Sequence, residues 1–135
     1  MQPTPKLNSI LLIDDDKVTN YLHSIVIKDM GVSNRIEIKQ NGKDGLKFLA
    51  ECNQAGNMPE IILVDLKMPV MDGFEFVDSY RKMGFPEDNT KIVMLTTSSN
   101  PKDIEKMKEK GINDFFDKPL TEEKLADLLT KYFQD

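Results

Sequence analysis

The sequence predicts an α/β protein, a parallel sheet covered by helices on both faces. Short continuous apolar runs recur at Ile10-Leu11-Leu12-Ile13, Ile61-Ile62-Leu63-Val64 and Ile92-Val93-Met94-Leu95, the pattern of strands buried on both sides. Between them lie stretches whose apolar residues recur at three- and four-residue intervals, the pattern of helices. The two kinds of segment alternate throughout, which calls for parallel strands joined by right-handed crossovers.

Taken in order, the first run stops at Asp14-Asp15-Asp16, and Asp16 reads as a helix N-cap. Val18, Tyr21, Leu22, Ile25 and Val26 then predict the buried face of a first helix, which Gly31 ends. Arg35-Ile36-Glu37-Ile38-Lys39 alternates and predicts an edge strand. Asn41-Gly42 reads as a turn, and Leu46 with Leu49 predicts a short second helix. The second run ends at Asp65; after Met68-Pro69, Asp72 caps a helix with Phe74, Val77 and Tyr80 on its inner face. The third run ends at Thr96, and Asn100-Pro101 opens a helix with a thin apolar stripe, Ile104 and Met107. Phe115-Phe116 is a short last strand ending at Lys118-Pro119. Thr121 caps a final helix with Leu125, Leu128, Leu129 and Tyr132 inside. Five strands thus alternate with five helices.

Composition narrows the function. At 135 residues the chain is the size of one domain, and its net charge of -5 opposes a surface for nucleic acid or anionic lipid. Cys52 stands alone, which fits a reducing compartment. No segment approaches the roughly 20 apolar residues that span a bilayer. Met1 to Ser9 has no apolar run, so it reads as a flexible lead rather than a signal peptide, and a cytoplasmic location is expected.

Asp14 and Asp15 follow the first strand, Asp65 the third, Thr96 the fourth and Lys118 the fifth. In an open parallel sheet these carboxyl ends share one rim, so the residues converge on one pocket. Three crowded carboxylates call for a cation or an altered proton count, and oxygen-only donors favour a hard cation such as Mg²⁺, with Mn²⁺ as a substitute. A carboxylate nucleophile beside Mg²⁺, with an ammonium and a hydroxyl to meet phosphoryl oxygens, suits phosphoryl transfer onto Asp65.

The set Asp14-Asp15-Asp16, Asp65-Leu-Lys-Met-Pro69 with Asp72-Gly73, Thr96-Thr97 and Lys118-Pro119 resembles the receiver domain of two-component response regulators, over nearly the whole chain from Ile10. The resemblance implies a flavodoxin-like, doubly wound five-stranded sheet of order 2-1-3-4-5, a receiver domain over residues 10–135 and no output domain. It implies that Asp65 is the phosphoacceptor, and that Asp14, Asp15, Asp65 and the Lys67 backbone carbonyl hold the metal. Thr96, Thr97, Lys118 and Phe115 become phosphoryl-binding and switch residues, and a cis peptide joins Lys118 to Pro119. The implied partners are a sensor or hybrid histidine kinase, a histidine phosphotransfer protein and a downstream protein. Signalling would use the face of the fourth helix, last strand and fifth helix. The chain would catalyse only its own phosphorylation and dephosphorylation.

Three positions depart from common receiver patterns. Lys67 replaces a small polar residue, Thr97 replaces alanine or glycine, and Phe115 lacks a tyrosine hydroxyl. Phe115 reads equally as a core aromatic. His23 has no companion at ligand spacing and reads as an ordinary surface or half-buried residue; Cys52 reads as a small side chain of the second helix. The lysines at 102, 106, 108 and 110 read as a solvated face. A relay role is the nearest alternative function. A Mg²⁺-dependent phosphatase lacks a second general acid and a cap domain, and a phosphorylation-independent scaffold does not need the full acidic, threonine and lysine set.

Overall fold

The computed structural model describes residues 6–97 and 100–133. Strands β1 (Leu7–Ile13), β2 (Ser33–Lys39), β3 (Ile61–Asp65), β4 (Lys91–Thr96) and β5 (Phe115–Asp117) alternate with helices α1 (Lys17–Met30), α2 (Gly42–Ala55), α3 (Gly73–Lys82), α4 (Pro101–Glu109) and α5 (Glu122–Phe133). All strands are parallel, in the order β2-β1-β3-β4-β5.

The strands sort their side chains by parity, as the pleat requires. Leu11, Ile13, Ile62, Val64 and Met94 face a core completed by Leu46 and Leu49 of α2, Phe74, Phe76, Val77 and Tyr80 of α3, and Met107 of α4. Ile10, Leu12, Ile61, Leu63, Val93 and Leu95 face the other side, against Ile27 of α1 and Leu125, Leu128 and Leu129 of α5. Registers such as Ile13↔Val64 and Asp65↔Leu95 bring the carboxyl ends of the central strands level.

The caps follow the sequence closely. Asp16, Asn41, Asp72 and Asn100 each accept a backbone N–H from the first turn of their helix. Asp72 and Glu75 complete a capping box. Thr121 Oγ1 accepts the Lys124 amide at 3.2 Å at the start of α5.

Several expectations need correction. β1 begins at Leu7, which is 3 % exposed, so residues 7–9 belong to the sheet rather than to a flexible lead; residues 1–5 lie outside the described part. α2 is a 14-residue helix, and Asn41-Gly42 is its start rather than a free turn. Its inner stripe uses Gly42 and Gly45, where a Cβ would come within 2.6 Å of Met71 Sδ and Ile13 Cδ1 respectively, so an apolar count undervalues it.

The largest reversal is on α1. Val18, Tyr21 and Leu22 are 64 %, 61 % and 53 % exposed, while Asn20, His23, Ser24 and Ile27 face inward. The first turns of α1 stand over the rim of the sheet, where polar backbone must be satisfied and little apolar core remains to cover. His23 is therefore buried, not a surface residue. The lysine face of α4 is also partly engaged: Lys110 Nζ donates to both Asp78 carboxylate oxygens at 2.9 and 3.0 Å, and Lys106 Nζ lies 4.6 Å from the Phe74 ring centre.

Candidate functional site

β1 delivers Asp14 one residue beyond its end, and every part of that residue is tied down. Its amide donates to the Lys39 carbonyl, its carbonyl accepts from Asn20 Nδ2 at 2.8 Å, and its Oδ1 accepts the Asp16 amide at 2.9 Å. Asp15, next along, is exposed. Asp65, the last residue of β3, is 6 % exposed. Its backbone sits against Gly73, where any Cβ would lie 3.0 Å from the Asp65 carbonyl oxygen. A side chain at that position would therefore force the Met-Asp-Gly turn or the Asp65 backbone to give by a few tenths of an ångström.

From the far side of the sheet, Lys118 reaches across both carboxylates. Its Nζ lies 2.6 Å from Asp14 Oδ2 and 3.0 Å from Asp65 Oδ1. Its amide donates to the Thr96 carbonyl at 3.0 Å, which fixes the strand-end loop to β4, and the Lys118–Pro119 peptide is cis.

Asp14, Asp15 and Asp65 each present a carboxylate oxygen within 4.8 Å of the others. Burial, with Asp14 and Asp15 adding to it, pushes the Asp65 carboxyl above its ordinary range despite the Lys118 ammonium. Burial also works against the charge on Lys118, but its hydrogen bonds to Asp14 and Asp65 prevail and hold its pKa above the ordinary value. An isolated ion pair would lower the acid and raise the base; here Asp65 moves the other way because burial disfavours its charge, and the neighbouring carboxylates add to that. All the donors are oxygen, the set that suits a hard divalent cation.

The other expected residues surround this centre. Thr96 is buried at the end of β4 and Thr97 is exposed just after it. Lys67 turns its ammonium to Asp103 of α4, 3.1 Å away. Phe115 is half-buried and packs on the core beneath α3 and α4. A surface hollow of about 720 Å³ lies at the opposite end of the sheet around Leu7, Asn57 and Phe133, away from these groups.

Three supports of the site went unread in the sequence. Asn20 holds the Asp14 carbonyl, and His23 Nε2 accepts the Leu120 amide at 3.1 Å. Lys124 Nζ donates to the carbonyls of Asp117 and Pro119 at 2.6 and 3.0 Å. The available signal was the second, polar stripe on α1, Asn20, His23 and Ser24, at helical spacing.

Comparison with known proteins agrees with this geometry. Residues 10–130 match the response regulator receiver domain family. The chain is 32 % identical over 121 residues to two-component response regulator 24 of Arabidopsis thaliana, covering 90 % of this chain and 81 % of that protein. It is 33 % identical over 129 residues to hybrid signal transduction histidine kinase D of Dictyostelium discoideum, covering 87 % of this chain and 8 % of the kinase. Among solved structures, a two-component response regulator from Cytophaga hutchinsonii superposes with a TM-score of 0.86 at 31 % identity, covering 94 % of this chain and 97 % of the other. The Vibrio cholerae chemotaxis protein CheY4 superposes with a TM-score of 0.75 at 29 % identity, covering 94 % and 99 %. With its sheet order, its convergent acidic rim and a family match across nearly its whole length, the chain belongs to the response regulator receiver domains of two-component signalling.

Proposed function

We propose that this receiver is a phosphorylation switch in which Asp65 accepts a phosphoryl group from a histidine kinase and the α4-β5-α5 face carries the signal. The observation that supports it is the meeting of three carboxylates within 4.8 Å, with the Lys118 ammonium 3.0 Å from Asp65. Asp14, Asp15, Asp65 and the Lys67 carbonyl would hold Mg²⁺ or Mn²⁺. Bound there, the cation supplies positive charge for the crowded carboxylates and for the equatorial oxygens of the transferring group.

The chain's own residues do the rest. An Asp65 carboxylate oxygen forms the new bond to phosphorus while the donor's P–N bond breaks. The electron pair stays on the imidazole nitrogen, and the ring leaves neutral when its other nitrogen carries a proton. Lys118 turns from Asp65 Oδ1 to a phosphoryl oxygen as a point charge, and the hydroxyls of Thr96 and Thr97 serve the others. As Thr96 moves, Phe115 fills the space behind it, and α4, with only Met107 fully buried, is the helix most easily reset. The only turnover in this scheme is loading and hydrolysis of its own acyl phosphate.

The donor is a protein on this reading. Val18, Tyr21 and Leu22 of α1, and the fully exposed Val70 in the loop after Asp65, leave an apolar rim of exposed side chains on the segments that follow β1 and β3, the strands that lead to Asp14 and Asp65. A small phosphodonor has no use for such a rim, whereas a helix bearing the phosphohistidine would cover it. A cytoplasmic setting fits such a partner, and no helix among the described residues is long and apolar enough to cross a membrane.

The first test is intact mass after incubation with Mg²⁺ and acetyl phosphate. Wild type should gain one labile phosphoryl group and Asp65→Asn none; a wild type left unmodified by both acetyl phosphate and a histidine kinase would overturn the switch. A relay or phosphate-sink role is the second reading, favoured by the likeness to hybrid kinases. Transfer of label from the phosphorylated chain to a histidine phosphotransfer protein decides it.

A further inference from the structure

Beneath the exposed rim of α1 lies a buried histidine that the phosphoryl chemistry above does not use. His23 is 3 % exposed, and its Nε2 accepts the Leu120 amide at 3.1 Å across 97 positions of sequence. Nε2 can accept only while it carries no proton, so the ring is neutral with its proton on Nδ1. Burial keeps it so by holding its pKa below the ordinary value; the facing charges are Asp14, which opposes that, and Lys118 and Lys124, which reinforce it.

What the bond holds matters more than its strength. Leu120 stands two residues beyond Lys118 and is itself 2 % exposed, so its amide has no route to water. The loop between β5 and α5 is tied to β4 through the Lys118 amide and to α5 through Lys124. From α1, His23 Nε2 supplies the acceptor for the Leu120 amide. Three positions earlier on that face, Asn20 binds the Asp14 carbonyl at 2.8 Å. One rigid helix therefore grips the backbone beside both members of the 2.6 Å Asp14–Lys118 pair.

We propose that His23 is a positioning residue of the phosphoryl site, setting the reach of Lys118 by accepting the Leu120 amide while Asn20 fixes Asp14 from the same helix. The proposal rests on the phosphoryl-switch reading given above. Without the acceptor, the 118–120 loop is free to seek another partner for its buried amide, and the ammonium moves with it. The carboxylates that would hold the cation stay in place, because Asn20 and β3 hold them independently.

The test compares His23→Leu, which keeps the bulk and removes the acceptor, with His23→Gln, whose amide oxygen can reach the place of Nε2. Rates of adduct formation with acetyl phosphate are followed by intact mass, and Mg²⁺ affinity is measured by calorimetry on the same proteins. His23→Leu should load about tenfold more slowly and His23→Gln within about threefold of wild type, the scale expected for a small misplacement of one charged group. Mg²⁺ affinity should stay at the wild-type value in both. A wild-type rate in His23→Leu overturns the proposal, and so does a folded His23→Gln that binds Mg²⁺ normally yet loads as slowly as His23→Leu. A wild type that takes no phosphoryl group from any donor instead overturns the switch itself. A separate reading survives even if His23→Leu does not fold. The chain has one histidine, so its ring signals in ¹⁵N-correlated spectra belong to His23 when no histidine tag is present. Those signals should show the Nδ1–H tautomer at neutral pH, and an Nε2–H ring would overturn the bond on which the proposal stands.

Discussion

At the scale of single residues, two positions at the acidic rim, Val70 and Asp65, carry unfavourable free energy that the rest of the fold offsets. Val70 has φ 70°, a left-handed backbone that a β-branched side chain resists, and its side chain touches nothing that would compensate. The left-handed region costs a non-glycine residue about 1–2 kcal/mol. Glycine there removes that cost and returns roughly 0.4–1 kcal/mol of it as unfolded-state entropy. Val70→Gly should therefore raise stability by about 0.5–1 kcal/mol in urea unfolding; a variant less stable than wild type would mean that the valine is held by a contact. Asp65 is the second such position, because burial and its acidic neighbours raise its pKa above 3.8 in the folded chain. A raised carboxyl favours the folded state fully below its unfolded pKa and loses that contribution as pH rises through the folded value. At neutral pH without metal, Asp65 thus works against folding. Asp65→Asn should melt about 3–6 °C higher, the shift that ~1 kcal/mol gives in a domain of this size. The gain should shrink as pH falls through the raised folded value and be gone once pH is below the unfolded value of about 4. Added Mg²⁺ should then stabilise wild type more than the variant, and equal responses would show that the carboxylates do not strain one another.

At the scale of elements, backbone approach rather than apolar count decides which helices the sequence discloses. The three continuous runs, the caps at Asp16, Asp72 and Asn100 and the strand-end positions of Asp14, Asp65, Thr96 and Lys118 were all legible, because each rests on local chemistry. The length of α2 was not, since Gly42 and Gly45 pack by having no side chain. Nor was the orientation of α1, whose apolar residues follow helical spacing yet face outward while Asn20 and His23 serve the rim. Periodicity reports that a stripe exists; it does not say whether the sheet or a partner covers it. Glycine packing also makes a prediction. A Cβ on either glycine meets a mobile side-chain end at 2.6 Å, Met94 Sδ at Gly73 and Ile13 Cδ1 at Gly45, but one on Gly73 also meets backbone, the Asp65 carbonyl and the Leu66 Cα at 3.0 Å. Gly73→Ala should cost about 1–3 kcal/mol by overpacking and slow phosphoryl loading, because Asp65 must shift. Gly45→Ala should cost less and leave loading unchanged. Equal effects on loading would mean that the turn does not set the place of Asp65.

For the whole molecule, the two cores are unequally tied to the site, and that asymmetry says where a signal can emerge. α2 and α3 lay Leu46, Leu49, Phe74, Phe76, Val77 and Tyr80 onto the sheet, so their displacement would open a large part of one core. α1 is committed to the rim through Asn20 and His23. α4 is nine residues long with Met107 as its fully buried side chain, and its start is joined to the site by the Lys67–Asp103 pair. On the proposed switch, a phosphoryl group on Asp65 would add negative charge two residues from Lys67 and compete with Asp103 for the same ammonium, just as Lys118 and Thr96 would change partners. Among the described residues, the helix with the fewest buried side chains would therefore receive this electrostatic change. Amide hydrogen exchange should accordingly be faster in α4 than in α2 or α3 of the unmodified protein. With Mg²⁺ and acetyl phosphate, changes in exchange should concentrate in residues 101–109 and 115–133, leave 42–55 nearly unaltered and vanish in Asp65→Asn. Changes confined to α2 and α3 would place the output away from the α4-β5-α5 face. Uniform protection throughout would make the phosphoryl group a global stabiliser and not a switch between two arrangements of one face.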